Sequence, residues 1–164
     1  MVSKETQELA NSMLAKVISE ARALGIPVSR HIDPNVIISG RATSKLGSCQ
    51  KKMFGFEITL AKRVTEAGVY AISTVLAHEV LHTCRGCQNH GVTWKRYAMM
   101  MNRTYGYRIK TTVKSEDLGV VTESRYVVRC LRCGQEFSRQ RMCSLVKYPG
   151  RYRCRCGGKL VRIK

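Results

Sequence analysis

The segment His78-Glu79-Val80-Leu81-His82, followed by His90, constrains this chain more than any other feature of its sequence. On an α-helix, residues four apart are offset by about 40° and rise by about 6 Å. His78 and His82 therefore stand on one face, as two ligands of one metal ion must. Glu79 lies about 60° round from His82, beside such a metal, where it can act as a general base. The pattern predicts a helix that carries zinc hydrolase chemistry.

A catalytic zinc ion has three protein ligands and one open position, and His90 is the natural third ligand. Gly86 can end the helix after the second histidine. The seven residues between the second and third histidines can span up to about 26 Å, which is enough for the chain to return to the metal. The sequence thus predicts a catalytic zinc site of His78, His82 and His90, with Glu79 as the catalytic base.

The segments around these histidines predict an α+β fold. Apolar residues at helical spacing indicate a helix over residues 4–24, and the zinc motif lies on another helix, roughly residues 69–84. Strands are predicted over residues 36–38 and 54–60, the second because Phe54 and alternate residues after it share one face. We expect these helices to pack on a small antiparallel sheet, whose edge can present itself to an extended peptide.

The rest of the chain predicts a second, smaller unit. His90 begins a further helix, residues 107–113 resemble a short strand, and little periodicity follows. We divide the chain into a core over residues 1–112, a linker over 113–124 and a basic zinc ribbon over 125–164.

Five cysteines in the last 40 residues predict a structural zinc site. Cys130 and Cys133 form a knuckle with a glycine where the backbone bends back. Cys154 and Cys156 supply the second half, although a single arginine separates them. Cys143 in the spacer is the alternative fourth ligand. Without zinc, this segment has too few apolar residues to hold a core.

Cys84 and Cys87 form a C-x-x-C pair between the predicted metal ligands. The pair has no evident partner for a second zinc site, and it does not follow a strand as thioredoxin-like redox motifs do. Packing of two small thiols is the simplest interpretation, with redox sensitivity as the alternative.

Composition indicates where such a chain works. The start of the sequence resembles no signal peptide, and no apolar run is long enough to cross a bilayer, so we expect a cytoplasmic protein without membrane contact. Eight cysteines in such a chain favour thiols and metal over disulfides. A formal net charge of +18 suits nucleic acid as a partner, and residues 125–164 alone contribute +11.

The zinc motif, Asn89-His90-Gly91, Trp94-Lys95-Arg96-Tyr97 and the final cysteine-rich segment together resemble the SprT-like metalloprotease family, which includes the Spartan protease. The resemblance covers nearly the whole chain. It implies a zincin-like metalloprotease core, a catalytic zinc on His78, His82 and His90 with Glu79 as base, and a DNA-facing ribbon. It also implies proteolysis of DNA-bound or crosslinked proteins, as in DNA–protein crosslink repair, with DNA, including single-stranded DNA, as partner.

The chain ends at the ribbon, without the long tail of eukaryotic members, so we expect a compact, monomeric protein of bacterial or phage origin that associates with the nucleoid. The alternative is a non-catalytic nucleic-acid-binding zinc protein whose histidine site is structural or vestigial. A metal-dependent nuclease or other hydrolase is disfavoured, because such enzymes usually surround their metals with carboxylates, and this chain has eleven acidic residues in all.

Overall fold

A computed structural model describes residues 2–42, 45–120 and 124–164. The chain divides into two compact units, Met1–Val121 and Thr122–Lys164. The helices and strands of the first unit are, in chain order, α1 (Lys4–Ala23), β1 (Ile37–Ser39), β2 (Gly47–Lys52), β3 (Gly55–Ala61), α2 (Lys62–Glu66), α3 (Val69–Leu81) and α4 (Val92–Tyr105). Both units mix helices with small sheets, so the α+β class is confirmed.

Helix α1 covers one side of the core. The Ser3 side chain accepts a hydrogen bond from the Thr6 backbone N–H and so caps the first turn. Positions at helical spacing are fully buried, and α1 packs on α3 through this face. The buried residues of α1 are Ala10, Leu14, Val17 and Ala21.

The sheet of the first unit has the order β1-β3-β2. Strand β2, which the sequence did not predict, pairs with β3 in antiparallel fashion, whereas β1 pairs with β3 in parallel. The expectation of an antiparallel sheet is therefore wrong for β1. Strand β3 carries the most buried side chains of the three strands, including Ile58 and Leu60, and it takes the central position. Strand β2 consequently lies at an edge of the sheet.

The strand predicted over residues 54–60 begins one residue later. Lys52 pairs with Gly55, so Met53 and Phe54 form the turn of the β2–β3 hairpin. Phe54 does not share the buried face of Ile58 and is 87% exposed.

Helix α3 runs through the middle of the first unit. Nine of its thirteen residues are buried, which explains its nearly continuous apolar sequence. Gly68 precedes it with a φ of 96°, and His82 follows its last residue with helical dihedral angles. His78 and His82 therefore remain one helical turn apart.

The segment after α4 packs on the same core without forming the predicted strand over residues 107–113. Tyr107 and Ile109 are buried, and a single 3-10 turn spans Glu116–Leu118. Leu118 and Val120, which fall in the predicted linker, are buried in the core of the first unit.

The second unit is small. It contains β4 (Tyr126–Cys130), β5 (Glu136–Arg139), α5 (Ser144–Lys147) and β6 (Leu160–Arg162), with an antiparallel sheet of order β5-β4-β6. Among the described residues, its buried core is limited to Val128, Cys130, Val146, Cys154 and Leu160. Across the described parts of both units, no helix combines the length and apolar character needed to cross a bilayer.

Candidate metal centre

The three histidines of the motif converge at one point. His78 Nε2 lies 3.2 Å from His82 Nε2 and 3.0 Å from His90 Nε2. Nitrogens that each bind a tetrahedral zinc ion at about 2.1 Å stand roughly 3.4 Å from one another. The three imidazoles therefore fit the triangular donor set of a zinc ion with an open fourth position.

Backbone carbonyls orient two of the rings. His78 Nδ1 donates a hydrogen bond to the Lys110 carbonyl at 3.0 Å, and His82 Nδ1 donates one to the Cys87 carbonyl at 2.6 Å. Because a carbonyl only accepts, Nδ1 carries the proton in both rings and Nε2 keeps its lone pair. Both rings thus present the tautomer that a metal requires.

The electrostatic surroundings favour the neutral form of two of the three rings, those of His78 and His90. Burial, together with His82 and His90, lowers the pKa of His78 to about 4, against the opposing effect of its hydrogen bond to Lys110. Burial also lowers the pKa of His90, with smaller contributions from His82 and Lys95. Neutral imidazole is the ligand form, so neither ring must lose a proton to bind a metal near pH 7.

The indole of Trp94 forms a common floor beneath all three imidazoles. Its ring centroid lies 4.8 Å from that of His78, 5.6 Å from that of His82 and 4.5 Å from that of His90. Trp94 is 1% exposed, and its side chain is among the largest buried ones. Helix α4 therefore supports the site through the indole, in addition to following the third histidine.

Glu79 lies beside the histidines and is 7% exposed. Burial raises the pKa of its carboxyl to about 7, against the opposing effects of the Lys45 ammonium and of a hydrogen bond from the Cys49 backbone N–H. A carboxylate with a pKa near 7 can both accept and return a proton at neutral pH.

Two adjoining surface cavities meet at these residues, with volumes of about 210 Å³ and 350 Å³. Lys45, Gly47, His78 and Glu79 line both. The edge strand β2 thus forms one wall of an open cleft above the three histidines.

The C-x-x-C pair lies in the loop that connects two of the histidines. Cys84 and Cys87 are both fully buried, and burial raises the pKa of the Cys84 thiol to about 12. A positive φ at Gly86 lets the loop turn so that the Cys87 N–H donates to the Cys84 carbonyl at 3.1 Å. This turn places the carbonyl that orients His82.

A second cluster lies in the second unit, where four sulfur atoms come within 4.8 Å of one another. Cys130 Sγ is 3.5 Å from Cys156 Sγ, and Cys133 Sγ is 3.6 Å from Cys154 Sγ. Thiolates bound to one tetrahedral zinc at about 2.3 Å stand roughly 3.8 Å apart, so the four sulfurs fit such an ion. Cys143 lies outside this cluster and precedes α5.

The backbone around this cluster favours a thiolate at Cys130. Hydrogen bonds from backbone N–H groups, first that of Cys133, lower the pKa of Cys130 to about 6, and the Arg132 N–H lies 3.4 Å from its sulfur. At Gly158, a Cβ atom would stand 2.5 Å from Cys130 Sγ, so this position accommodates only glycine. The single-residue spacing between Cys154 and Cys156 does not prevent the four sulfurs from converging.

Comparison with known protein families identifies the first unit. The model of the SprT-like family matches residues 27–115, which is more than half of the 164 residues. The chain belongs to the SprT-like family. Comparison with curated proteins gives no match. The SprT-like match covers β1 to β3, α3, α4 and all three histidines, so the family assignment and the converging ligand set coincide.

Sequence reasoning did not anticipate the residues that surround the motif. Gly47 and Cys49 reach Glu79 from β2, and the Lys110 carbonyl reaches His78 from the segment after α4. Asn102 holds that segment in place, because its side chain bonds both the N–H and the carbonyl of Ile109. In the sequence, the only indication of the Asn102 contact is a polar residue near the end of an amphipathic helix.

Proposed function

We propose that this SprT-like protein is a zinc-dependent endopeptidase with a zincin-like core, and that it acts on proteins bound or crosslinked to DNA. One observation carries the catalytic part of the proposal. Three imidazole nitrogens converge at the floor of an open cleft, and a buried carboxylate, Glu79, lies beside them. A purely structural zinc site has no use for such a base or for access from solvent.

His78, His82 and His90 would hold the catalytic zinc, which supplies a Lewis acid that polarises a carbonyl and lowers the pKa of water to about 7. Glu79 performs the proton transfers: its carboxylate accepts the proton of the attacking water and then returns it to the leaving amide nitrogen. The hydrogen bond from the Cys49 N–H holds that carboxylate in place between the two transfers.

Strand β2 supplies a means of binding an extended peptide. It pairs with β3 on one side, and the opposite edge has no strand among residues 2–42, 45–120 and 124–164. A peptide that adds to this edge by backbone hydrogen bonds passes along the cleft lined by Gly47 and Ser48. Such binding favours unfolded or loosely folded segments over compact domains.

The second unit supports the association with DNA. Four cysteines that fit a zinc ion hold a scaffold with a strongly basic sequence. Tyr148 is 42% exposed and lies close to two cations, with the Arg151 guanidinium carbon 4.5 Å and the Lys147 ammonium nitrogen 5.2 Å from its ring centroid. An aromatic ring flanked by cations suits stacking on a base next to a phosphate.

The decisive experiment is cleavage of a loosely folded DNA-binding protein by the full chain, with and without single-stranded DNA. Glu79→Gln should retain both zinc equivalents and lose turnover by at least about 100-fold. Glu66→Gln, at an exposed glutamate in α2, is the matched control and should cleave as the wild type does. Cleavage by Glu79→Gln at the wild-type rate would refute the assignment of the base.

The effect of DNA on cleavage is interpreted separately from the effect of Glu79→Gln. Cleavage that requires both Glu79 and DNA supports the whole proposal. Cleavage that depends on Glu79 but is indifferent to DNA retains the endopeptidase and removes the DNA association. A zinc-loaded protein that binds DNA and cleaves nothing would instead establish a non-catalytic nucleic-acid-binding zinc protein.

A further inference from the structure

The tip of the β2–β3 hairpin carries an apolar pair that the core does not use. Met53 is 89% exposed and Phe54 is 87% exposed, the two highest values among the large apolar side chains of the described residues. Single exposed apolar residues are common, but two adjacent ones at the end of a protruding hairpin are typical of a contact site.

This tip is rigidly held. Phe56 pairs with the segment before β1, because its N–H donates to the His31 carbonyl and its carbonyl accepts from the Asp33 N–H, each at 2.8 Å. Gly55 has a φ of 148°, and a Cβ there would stand 2.2 Å from the His31 carbonyl oxygen. The backbone of the hairpin is therefore anchored directly after the turn, with the Phe54 side chain exposed to solvent.

Cationic side chains surround the hairpin tip. Lys51 and Lys52 immediately precede the turn and are exposed, and Arg30 and His31 line an adjoining cavity of about 700 Å³ together with Phe54. The carboxylates of the same cavity have partners within the protein. Asp33 Oδ1 accepts from the Asn35 N–H at 2.8 Å, and Glu57 lies 3.3 Å from Lys52 Nζ.

We propose that this hairpin tip is a contact for single-stranded DNA, in which Phe54 stacks on a base and Lys51 and Arg30 bind the neighbouring phosphates. An aromatic face with cations on either side recognises an unpaired base and its backbone without sequence preference. A lipid surface fits less well, because two apolar side chains bury less surface than a single acyl chain, which by itself gives only marginal membrane binding. The contact deepens the DNA association proposed above and rests on that part of it, independently of proteolysis.

The hairpin tip and the cleft lie at the two ends of strand β2, so DNA bound at the tip is held near the cleft. Strand β2 runs from Lys52 at the tip to Gly47 at Glu79, a distance of six residues in one continuous strand. DNA held at the tip therefore lies at one end of the strand whose other end contacts Glu79. A protein attached to that DNA is thereby kept near the cleft at a high local concentration.

The test measures binding of a fluorescent oligo(dT) to the full chain carrying Glu79→Gln, which prevents self-cleavage during the titration. Phe54→Leu keeps an apolar side chain but removes the aromatic face, and we expect it to weaken binding by about fivefold or more. Phe54→Trp should bind at least as well as the parent. Met99→Ala, at an exposed apolar residue of α4, is the control and should bind as the parent does.

A second measurement locates the contact directly. Irradiation of an oligonucleotide that contains 5-iodouracil should crosslink residues 53–54. Lys51→Ala should reduce the dependence of binding on salt concentration. Equal binding by Phe54→Leu and the parent, without a crosslink at the tip, would overturn the inference but leave DNA binding elsewhere intact. Failure of the parent to bind oligo(dT) would instead remove the DNA association itself.

Two further outcomes would also overturn the inference that the hairpin tip binds single-stranded DNA. One is an effect of Phe54→Leu confined to oligo(U), which would make the tip an RNA contact. The other is Phe54-dependent sedimentation with phosphatidylserine vesicles in the absence of any effect on oligo(dT) binding, which would make the tip a lipid contact.

Discussion

Gly47 of β2 lies directly against Glu79 of α3. A Cβ atom at position 47 would stand 3.0 Å from both Cγ and Oε1 of Glu79, and 2.7 Å from Cγ1 of Val75. The strand therefore determines where the carboxylate can stand, by close contact at Gly47 and by the hydrogen bond from Cys49. Glycine is required here because of space, since its φ is not in the left-handed region.

Replacement of Gly47 by alanine should consequently displace the carboxylate. We expect Gly47→Ala to retain zinc, to lose about 1–3 kcal/mol of stability through overpacking, and to reduce peptide cleavage by at least tenfold. Cleavage rates and zinc content measured on the same preparation separate the two effects. Gly40→Ala is the matched control, because a Cβ there meets nothing within 4 Å. Equal cleavage by Gly47→Ala and Gly40→Ala would show that close contact with β2 does not determine the position of the Glu79 carboxylate.

Asn102 controls the zinc site from a distance. Its side chain bonds the N–H of Ile109 at 2.8 Å and the carbonyl of Ile109 at 3.0 Å, and the next residue, Lys110, supplies the carbonyl that orients His78. We expect Asn102→Ala to weaken zinc binding by about tenfold, as loss of an outer ligand contact does. Competition with a chromogenic chelator measures this, and Arg103→Ala on the exposed face of α4 should leave the affinity unchanged.

Trp94 contributes to the stability of the core and packs against the three imidazoles of the metal site. Trp94→Ala should cost about 3–5 kcal/mol of unfolding free energy, because it removes the largest fully buried side chain beneath the three imidazoles. Urea denaturation checks the magnitude. Met99→Ala on the same helix, where the side chain is 63% exposed, should change the stability by no more than about 0.5 kcal/mol. Similar losses in both variants would contradict the role of the indole.

The cysteine cluster should sustain the fold of the second unit. The five buried core residues among those that the structure describes bury too little apolar surface to fold a unit of this size unaided. We therefore expect Cys156→Ser to lose one of two zinc equivalents and to unfold residues 125–164, seen as loss of dispersed amide signals. Cys143→Ser should keep both equivalents, because Cys143 lies outside the cluster. The reverse pattern would identify Cys143 as the fourth ligand.

Tyr107 should make stability depend on alkaline pH. Its hydroxyl donates to Glu20 Oε2 at 2.5 Å, and burial, this hydrogen bond and the charge of Glu20 raise its pKa well above the usual value near 10. Above pH 10 the unfolded chain releases this proton while the folded protein keeps it, so the stability contributed by the pair is lost as the pH rises. Urea midpoints at pH 8 and 11 should fall less for Tyr107→Phe than for the wild type, with Tyr70→Phe as the control.

The sequence predicted the parts of this molecule that depend on local spacing. Helical periodicity placed α1 and α3 within a few residues, because an amphipathic pattern and its capping residues lie next to each other in the chain. His78 and His82 lie side by side for the same reason, since they are one helical turn apart. The two Cys-containing turns of the second unit are likewise short-range features.

Features that depend on tertiary pairing could not be predicted in this way. The parallel pairing of β1 with β3 follows from which strand occupies the centre of the sheet, and nothing in residues 36–38 encodes that choice. Phe54 fits the alternation of β3 but lies in the turn, because the register of the hairpin pairs Lys52 with Gly55. The contacts of Gly47 and Asn102 join residues from different elements, which no periodicity reveals.

The packing of Trp94 under the three histidines also provides an internal optical probe. This is the single tryptophan of the sequence, so all indole emission from the protein originates a few ångströms from the imidazoles. Occupancy of the histidine site can therefore be followed in real time by fluorescence, without a label.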